Sequence, residues 1–352
     1  MRVLMVGPTK TKGGMATVIN GYLEDEVLNE DIEVESYASF LAGSFLFRLF
    51  YSLIAFLRFT LIYKKYDIFH LHMAAFGSTY RIIFYIRFLK MKGKKIVVHN
   101  HGGEYQEFWD SLTTKRREYV RKHLQKADLY LALSENWKLF FEDVLSLKGV
   151  RVLGNAIDVQ QYADSRNNPD LYKHAFLFLG LIGENKGVYD LINAIELIKN
   201  DSAKIKCYIS GPGEIEKVKE IVSKKGLNDI IEVLGYVNQQ EKQKLFSNVA
   251  TLVLPSYSEG LPMVILEAMA AGKTIISTGV GAISELINNQ ENGLIISPGD
   301  VDALKESMLL ITQGKMDLHK IQQKNINKIF KKYNKRENYQ CLKNLYIELI
   351  ER

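Results

Sequence analysis

Two glutamates eight positions apart are the residues of this chain whose type and spacing first suggest chemistry. Glu259 and Glu267 follow the apolar run Thr251–Leu254, which predicts a strand, and a helical pattern begins at about Leu261. Glu259 therefore precedes the helix, and Glu267 lies about one and a half turns inside it. Carboxylates placed in this way can bracket a ligand rich in hydroxyl groups. The alternative is that Glu259 is only a helix N-terminal charge and Glu267 is solvated.

The first turn of the same helix is a candidate phosphate site. Its amide N–H groups have no intrahelical partner, and the helix dipole places positive charge there. Gly260 lets the backbone approach a ligand closely, and Pro262 suits the first helical turn because its missing N–H would have no partner there. The segment Gly260–Leu261–Pro262 therefore predicts an anion-binding helix start.

These residues resemble those of a known family. Glu259 and Glu267 have the Glu-x7-Glu spacing of retaining glycosyltransferases with the GT-B fold, and the surrounding sequence is similar to glycosyltransferase family 4. The resemblance covers nearly the whole chain and is stronger after Phe176. It implies that Glu259 contacts the transferred sugar as a catalytic residue, that the backbone around Leu261 holds the donor diphosphate, and that Glu267 binds the ribose. The implied donor is a UDP- or GDP-linked sugar, with no cofactor and no required metal.

A second match lies between Phe176 and Gly187. The family usually has Gly-Arg followed by Lys-Gly, and both cations pair with the donor diphosphate. Lys186 is present, whereas Leu181 occupies the arginine position, so that a bidentate phosphate ligand is missing. Three outcomes stay open: another cation substitutes, Lys186 and backbone amides suffice, or activity is impaired. Lys186 as an ordinary loop lysine is the alternative interpretation.

The first half of the chain contains weaker matches. Gly13 and Gly14 join the first predicted strand to a helix and resemble the family's glycine loop, which approaches the donor phosphate or the acceptor. The loop His101-Gly-Gly-Glu104 is similar to the family's His-Gly-x-Asp/Glu loop, which implies that His101 reaches the sugar or the transferred oxygen and that Glu104 lies nearby. Further along, the resemblance places the backbone near Val237 against the nucleotide base.

Histidines are concentrated in two pairs, His70 with His72 and His99 with His101. Alternation along a strand places the members of each pair on one face. Because no carboxylate or cysteine completes a metal-ligand motif, we predict no metal site. His99 is the second candidate for ligand contact after His101, and a histidine hydrogen-bonded beneath the sheet is the alternative for each.

Short apolar runs alternate with helical segments along the whole chain, which is typical of α/β folds with parallel sheets. The predicted strands are Val3–Val6, Glu33–Tyr37, Ile68–Leu71, Ile96–Val98, Leu129–Leu133, Val150–Leu153, Phe176–Leu179, Ile205–Ile209, Ile231–Leu234, Thr251–Leu254, Thr274–Ser277 and Leu294–Ile296. We predict two Rossmann-like domains that face an interdomain cleft, in the GT-B arrangement. Residues 1–160 would bind the acceptor, residues 161–333 the nucleotide sugar, and the helix over 334–352 could cross back to the first domain. The polar segment 158–170 is the best linker candidate.

Charge and hydropathy add a membrane prediction. Residues 1–160 contain 22 Lys and Arg against 17 Asp and Glu, an excess that suggests an anionic partner. Residues 41–63 are long enough to span a bilayer, but Arg48 and Arg58 lie within them. Either this segment is a core helix, or it lies in the interface of an anionic membrane with its arginines toward the head groups. We favour the second. With two cysteines and no signal peptide, the protein is expected in the cytoplasm, peripheral at the inner face of the membrane.

The resemblance implies a retaining hexosyltransferase of surface polysaccharide biosynthesis. It would move a sugar from a nucleotide sugar to a lipid-linked or oligosaccharide acceptor, while Lys186 and the helix-start amides stabilise the departing diphosphate. Two alternatives stay open: a sugar-nucleotide epimerase or phosphorylase on the same fold, and a non-catalytic partner subunit, which Leu181 would favour. No motif indicates nucleic-acid binding.

Overall fold

Twelve parallel strands form two six-stranded sheets in the computed structural model, which describes residues 1–10, 13–200 and 204–351. The first sheet has the order β2-β1-β3-β4-β5-β6 and the second β12-β11-β10-β7-β8-β9. The strands are β1 (Arg2–Gly7), β2 (Glu33–Ala38), β3 (Ile68–Met73), β4 (Lys95–Asn100), β5 (Leu129–Ala132), β6 (Val150–Val152), β7 (Ala175–Leu179), β8 (Lys206–Ser210), β9 (Ile231–Gly235), β10 (Thr251–Leu254), β11 (Thr274–Thr278) and β12 (Leu294–Ile296). Every predicted strand is present, and the α/β prediction with two parallel sheets is confirmed.

Helices connect successive strands in both sheets. They are α1 (Gly14–Leu23), α2 (Glu26–Asn29), α3 (Phe45–Ile62), α4 (Gly77–Met91), α5 (Tyr105–Asp110), α6 (Thr114–Leu124), α7 (Glu135–Leu139), α8 (Val188–Asn200), α9 (Ile215–Lys224), α10 (Gln239–Ser247), α11 (Met263–Ala270), α12 (Ile283–Leu286), α13 (Val301–Thr312), α14 (Leu318–Lys332) and α15 (Lys335–Glu351). Central strands such as β3 and β11 are buried at every position, whereas the edge strands β2 and β9 expose several side chains. Burial on both faces explains why the central strands are continuous apolar runs.

The chain divides into two compact units. The first comprises Met1–Ala156 and Lys335–Arg352, and the second comprises Ile157–Asn334. Helix α15 is therefore part of the first unit, where it packs against α2 and where Lys343 Nζ lies 2.5 Å from Asp31 Oδ2. The cleft predicted between the domains stays a prediction.

The segment 158–170, predicted as a linker, is packed onto the second unit. Two 3-10 turns cover Gln160–Ser165 and Pro169–Tyr172. The Asn167 amide donates hydrogen bonds to the carbonyls of Ser247 and Val249, and Arg166 Nε donates to the Ala270 carbonyl. The polar side chains that indicated a linker thus donate hydrogen bonds to backbone carbonyls of the second unit, to which this segment belongs.

Helix α3 is exposed, so the core-helix alternative for residues 41–63 is wrong. Ala55 and Phe59 are its buried residues. An 18-residue window within Phe45–Lys65 has a mean hydropathy of 1.8, and this helical stretch is long and apolar enough to cross a membrane by length and composition. The apolar side chains that α3 exposes are Phe45, Leu46, Phe47, Leu49, Phe50, Leu53, Leu57 and Leu61.

Candidate functional site

The segment after β10 forms a buried loop that leads into α11. The helix begins at Met263, two residues later than predicted, and Pro262 is its N-cap with an extended ψ of 121°. The prediction that Pro262 lies in the first helical turn is therefore wrong by one position. Its carbonyl accepts hydrogen bonds from the amides of Ile265 and Leu266, which starts the helix. Gly260, Leu261 and Pro262 are all buried.

Glu259 is a buried carboxylate with two donors. Its Oε1 accepts a hydrogen bond from Ser256 Oγ at 2.8 Å and lies 2.7 Å from Lys186 Nζ. Lys186 Nζ also donates to the Ser258 carbonyl at 3.4 Å. The interpretations of Glu259 as a simple helix charge and of Lys186 as an ordinary loop lysine do not fit, because the two side chains form one ion pair that is largely shielded from water.

Two glycines let the backbone close around this ion pair. At Gly187, φ is 71° and a Cβ would lie 2.1 Å from the Pro255 carbonyl oxygen. At Gly281, φ is 56° and a Cβ would lie 1.9 Å from the carbonyl oxygen of Glu259. Both positions combine a left-handed conformation with close backbone approach, which only glycine tolerates. Sequence reasoning missed Gly281, although two glycines within four residues of the end of the predicted strand Thr274–Ser277 are a signal for such a turn.

Glu267 is also buried and paired, which contradicts the solvated interpretation. Its Oε1 lies 2.6 Å from Lys242 Nζ of α10, and the Glu267 carboxylate interacts with the hydroxyl of Tyr162. Burial, then the neighbouring charge of Glu267, raises the pKa of Tyr162, so this hydroxyl stays protonated as a donor. Neither Lys242 nor Tyr162 was predicted, because nothing in their local sequence separates them from ordinary surface and turn residues.

Leu181, at the position of the family arginine, is 55% exposed in the loop after β7. The backbone of this loop is held by hydrogen bonds from the amides of Gly180 and Ile182 to Ser210 and Pro212 carbonyls. Leu181 itself therefore has room for a larger side chain. Val237 is half-buried in the loop that follows β9.

In the first unit, four histidines form a stack at the end of β3 and β4. Ring centroids of His70 and His72 are 4.2 Å apart, as are those of His99 and His101. His72 Nδ1 lies 2.9 Å from His101 Nε2, while His70 Nδ1 contacts the hydroxyl of Tyr346 at 2.6 Å. The alternative of a histidine hydrogen-bonded beneath the sheet therefore describes His70, and also His99, whose Nε2 lies 3.0 Å from the Leu153 carbonyl oxygen.

Burial makes the stack neutral. It lowers the pKa of His99 to about 4 and lowers the pKa values of His70, His72 and His101 well below their ordinary value, with further lowering by neighbouring histidines. At pH 7 His101 is therefore an uncharged group that can donate or accept one hydrogen bond. His101 is only partly shielded, whereas the other three rings are fully buried.

The stack also brings together three candidate metal ligands. The prediction of no metal site considered the histidines only in pairs. One ring nitrogen from each of His70, His72 and His99 lies within 4.8 Å of the others. A metal ion must lie near the plane of every ligand ring, yet the planes of His70 and His99 are inclined by only 14° and those of His70 and His72 by 21°. Nearly parallel stacked planes do not converge on one point, so the geometry does not favour an ion.

The remaining predicted residues of the first unit lie at helix starts. Gly14 is the first residue of α1, and the Gly13 carbonyl accepts a hydrogen bond from the Thr17 amide. No heavy atom in the described structure would contact a Cβ built on either glycine, so their backbone is accessible. Residues 11 and 12 of the same glycine loop lie outside the described residues. Glu104 is half-buried at the N-cap of α5.

Two family models match consecutive parts of the chain. Residues 18–161 match the model described as Glycosyltransferase Family 4, and residues 161–332 match the model described as Glycosyl transferases group 1. Between them, the two matches include most of both units.

Individual relatives and a solved structure agree with these matches. The amylovoran biosynthesis glycosyltransferase AmsK of Erwinia amylovora is 26% identical over 262 residues, which cover 72% of this chain and 63% of AmsK. The UDP-Gal:alpha-D-GlcNAc-diphosphoundecaprenol alpha-1,3-galactosyltransferase of Escherichia coli is 26% identical over 311 residues, 82% of this chain and 76% of that enzyme. The structure of Anabaena HepE in complex with UDP-glucose superimposes with a TM-score of 0.78 at 16% identity, covering 99% of this chain and 100% of HepE, and supports the fold.

Proposed function

Because the chain belongs to the GT-B glycosyltransferases of the group 1 and family 4 models, we propose that it transfers a sugar with retention from a UDP- or GDP-linked donor to a lipid-linked saccharide. The product would be an intermediate of a surface polysaccharide. Relatives named for amylovoran biosynthesis and for transfer to a diphosphoundecaprenol-linked sugar support this pathway and this class of acceptor. The complex of HepE with UDP-glucose supports a UDP-linked donor.

The observation that carries the proposal is the buried pair of Glu259 and Lys186 at the start of α11. Placing a carboxylate and an ammonium group together out of water is costly unless both make further hydrogen bonds. A bound donor would supply them: sugar hydroxyls would donate to Glu259, and diphosphate oxygens would accept from Lys186 and from the amides at Gly260 and Leu261. The pair is therefore preorganised for a ligand that has both hydroxyl groups and phosphate oxygens.

Leaving-group stabilisation is the chemical step that this arrangement would serve. As the bond between the sugar and the diphosphate breaks, negative charge grows on the diphosphate. Lys186 and the first turn of α11, to which Leu261 and Pro262 lead, would stabilise that charge without a metal ion. The acceptor hydroxyl would attack from the face that the leaving group vacates, which gives retention.

The nucleoside would be held by the second carboxylate. Glu267 is fixed by Lys242, and an ionised carboxylate can accept several hydrogen bonds, so both ribose hydroxyls can still donate to it. Backbone near Val237 would contact the base. A ribose that binds here would place the diphosphate toward the start of the same helix, because Glu267 lies one turn beyond Met263.

In the first unit, we assign acceptor and sugar contacts to His101 and Glu104 and phosphate contacts to Gly13 and Gly14. His101 would hydrogen-bond the sugar or the transferred oxygen as a neutral imidazole, and its contact with His72 would fix which ring nitrogen carries the proton. His101 would then position the sugar or the transferred oxygen without itself gaining or losing a proton.

A transfer assay with matched variants tests the proposal. With a labelled UDP-sugar and a lipid-diphosphate-linked saccharide, Glu259→Gln should lower kcat/KM by a factor of about 10²–10³, the size expected for one lost transition-state contact. The exposed Glu306→Gln, in the same unit, is the control and should leave transfer unchanged. The anomeric configuration of the product, measured by NMR, should match that of the donor. An inverted product, or conversion of the donor to its epimer without acceptor, would refute the proposal.

A peripheral position on the cytoplasmic membrane is a second part of the proposal. Helix α3 exposes a large apolar surface and carries Arg48 and Arg58, a combination suited to the interface of an anionic bilayer. Flotation with vesicles of anionic and of neutral lipid should show binding mainly to the anionic ones. Leu53→Glu should abolish flotation, whereas Leu171→Glu, at a more exposed leucine of the second unit, should not. Equal binding of both leucine variants would contradict membrane contact through α3.

A further inference from the structure

The first unit contains a cavity of about 420 Å³ that is lined by none of the second-unit residues assigned to the donor, whereas Gly13 and Gly14, the phosphate-contact residues of the first unit, do line it. It is lined by Pro8, Gly13 and the start of α1 on one side, by the start of α4 on another, and by Phe40 and Arg48. Two arginines, Arg48 and Arg81, contribute side chains, and none of the described residues that line it is acidic. The electrostatic character of the cavity is therefore cationic.

Arg81 is a largely buried cation without an acidic partner in the described ranges. Its Nη2 donates to Ser78 Oγ at 3.0 Å, its guanidinium lies 5.0 Å from the centre of the Phe40 ring, and its Nε is buried with no hydrogen-bond partner. Burial lowers the pKa of Arg81 from its usual range. Holding a guanidinium in this way costs stability unless an anion binds, because the Nε–H group has lost water without gaining an acceptor.

Two helix starts converge on the same cavity. Gly14, Met15 and Ala16 form the first turn of α1, and Gly77 and Ser78 that of α4. First-turn amides have no intrahelical acceptor and carry the positive end of the helix dipole. The Ser78 amide already donates to the Ala75 carbonyl, so Ser78 contributes through its hydroxyl. The Ser78 hydroxyl oxygen accepts hydrogen bonds from Arg81 and from the Ala74 amide, which leaves its proton to donate toward a ligand. An anion in this cavity would meet donors from both helices and from Arg81.

The apolar helix α3 indicates what carries the anion. Arg48 lines the cavity and lies on α3, among the exposed side chains Leu49 and Phe50. We propose that the cavity binds the diphosphate of the lipid-linked acceptor, with Arg81 and Arg48 as its cations and with the lipid chain along the exposed face of α3. This rests on the proposed transferase function. It assigns the acceptor's charged group to a site on the first unit, distinct from the donor diphosphate site around Lys186.

Direct binding measurements test the assignment without requiring transfer. The probes are farnesyl diphosphate, farnesol and UDP, titrated into the full-length chain by calorimetry below the micellar concentration of the farnesyl compounds. Farnesyl diphosphate should bind more tightly than farnesol. Arg81→Met should lower the affinity for farnesyl diphosphate by a factor on the order of ten or more, which is the usual size for a charge-assisted hydrogen bond. The same substitution should leave the Kd of UDP within about twofold of the wild-type value.

Matched variants separate a local effect from a general loss of positive charge. Arg87→Gln on α4 removes an exposed arginine that does not line the cavity, and this variant should bind farnesyl diphosphate like the wild type. Arg48 is exposed, so Arg48→Gln should fold normally and should lower the affinity for farnesyl diphosphate. This variant therefore tests the site even if Arg81→Met fails to fold.

The outcomes are distinguishable. Equal affinities for farnesol and farnesyl diphosphate, or no effect of Arg81→Met and Arg48→Gln, would overturn the site. Weaker UDP binding in these variants, with farnesyl diphosphate unchanged, would assign the cavity to the donor instead and would also overturn the proposal. Failure of the transferase function would appear separately, as absent binding of both UDP and GDP and absent transfer in the wild type.

Discussion

Acidification should destabilise the first unit through its histidine stack. His99 is fully buried, and burial lowers its pKa to about 4, against about 6.5 in an unfolded chain. Between these two values the unfolded chain binds a proton that the folded chain does not, so the free energy of unfolding rises with pH in this window. The contribution of His99 is complete above about pH 6.5 and is lost as the pH falls toward 4.

The size of the effect follows from the same numbers. Lowering the pH from 7.5 to 5 should reduce the free energy of unfolding by about 2 kcal/mol through His99 alone. The pKa values of His70, His72 and His101 are shifted in the same direction, so the total loss should be larger. Since a domain is stable by only about 5–15 kcal/mol, the first unit should be close to unfolding near pH 5.

Tryptophan fluorescence can follow this unit by itself. The chain has two tryptophans, Trp109 and Trp137, and both are buried in the first unit. Urea unfolding at pH 5 and 7.5 should give the wild-type difference, and His99→Gln, which can still donate to the Leu153 carbonyl, should reduce that difference by about 2 kcal/mol. The exposed His174→Gln of the second unit is the control. An equal pH dependence in wild type and His99→Gln would refute the reasoning.

Three further predictions concern the second unit. Lys242→Met should lower the free energy of unfolding by about 3 kcal/mol in urea unfolding, because Glu267 would be left buried without its cation. Adding Glu267→Gln should restore most of this loss. A double variant whose two effects simply add would contradict the reasoning. Gly281→Ala should abolish UDP binding in calorimetry, because its Cβ would collide with a backbone carbonyl, whereas Gly279→Ala, which meets only a side chain at 3.5 Å, should bind normally. Leu181→Arg should tighten UDP binding about tenfold if the missing guanidinium is a phosphate ligand, and unchanged affinity would show that another group already fills that role.

The sequence alone determined the strands and their order along the chain. A strand in the middle of a parallel sheet is buried on both faces, so it must be an apolar run, and such a run is visible without any tertiary information. The same holds for the Glu259 loop, because a strand, a glycine, a proline and a helical pattern in succession are local features. The helix start was misplaced by two residues, because the last residues before Met263 have a composition that suits either loop or helix.

Tertiary structure decided which charges are buried and what they contact. Lys186 meets Glu259 and Lys242 meets Glu267 only because the segment after β7 and helix α10 pack against α11 and the loop before it, and no local pattern distinguishes these lysines from solvated ones. Likewise, no local pattern distinguishes Arg81 from Arg87 on α4, yet Arg81 is largely buried beside the Phe40 ring whereas Arg87 is exposed. In helix α3 apolar side chains are exposed where a core position was equally possible. Its sequence suits a core or a membrane surface, and only the folded unit shows that little packs on it. Burial depends on what packs on a residue from distant parts of the chain, and a sequence read locally does not contain that information.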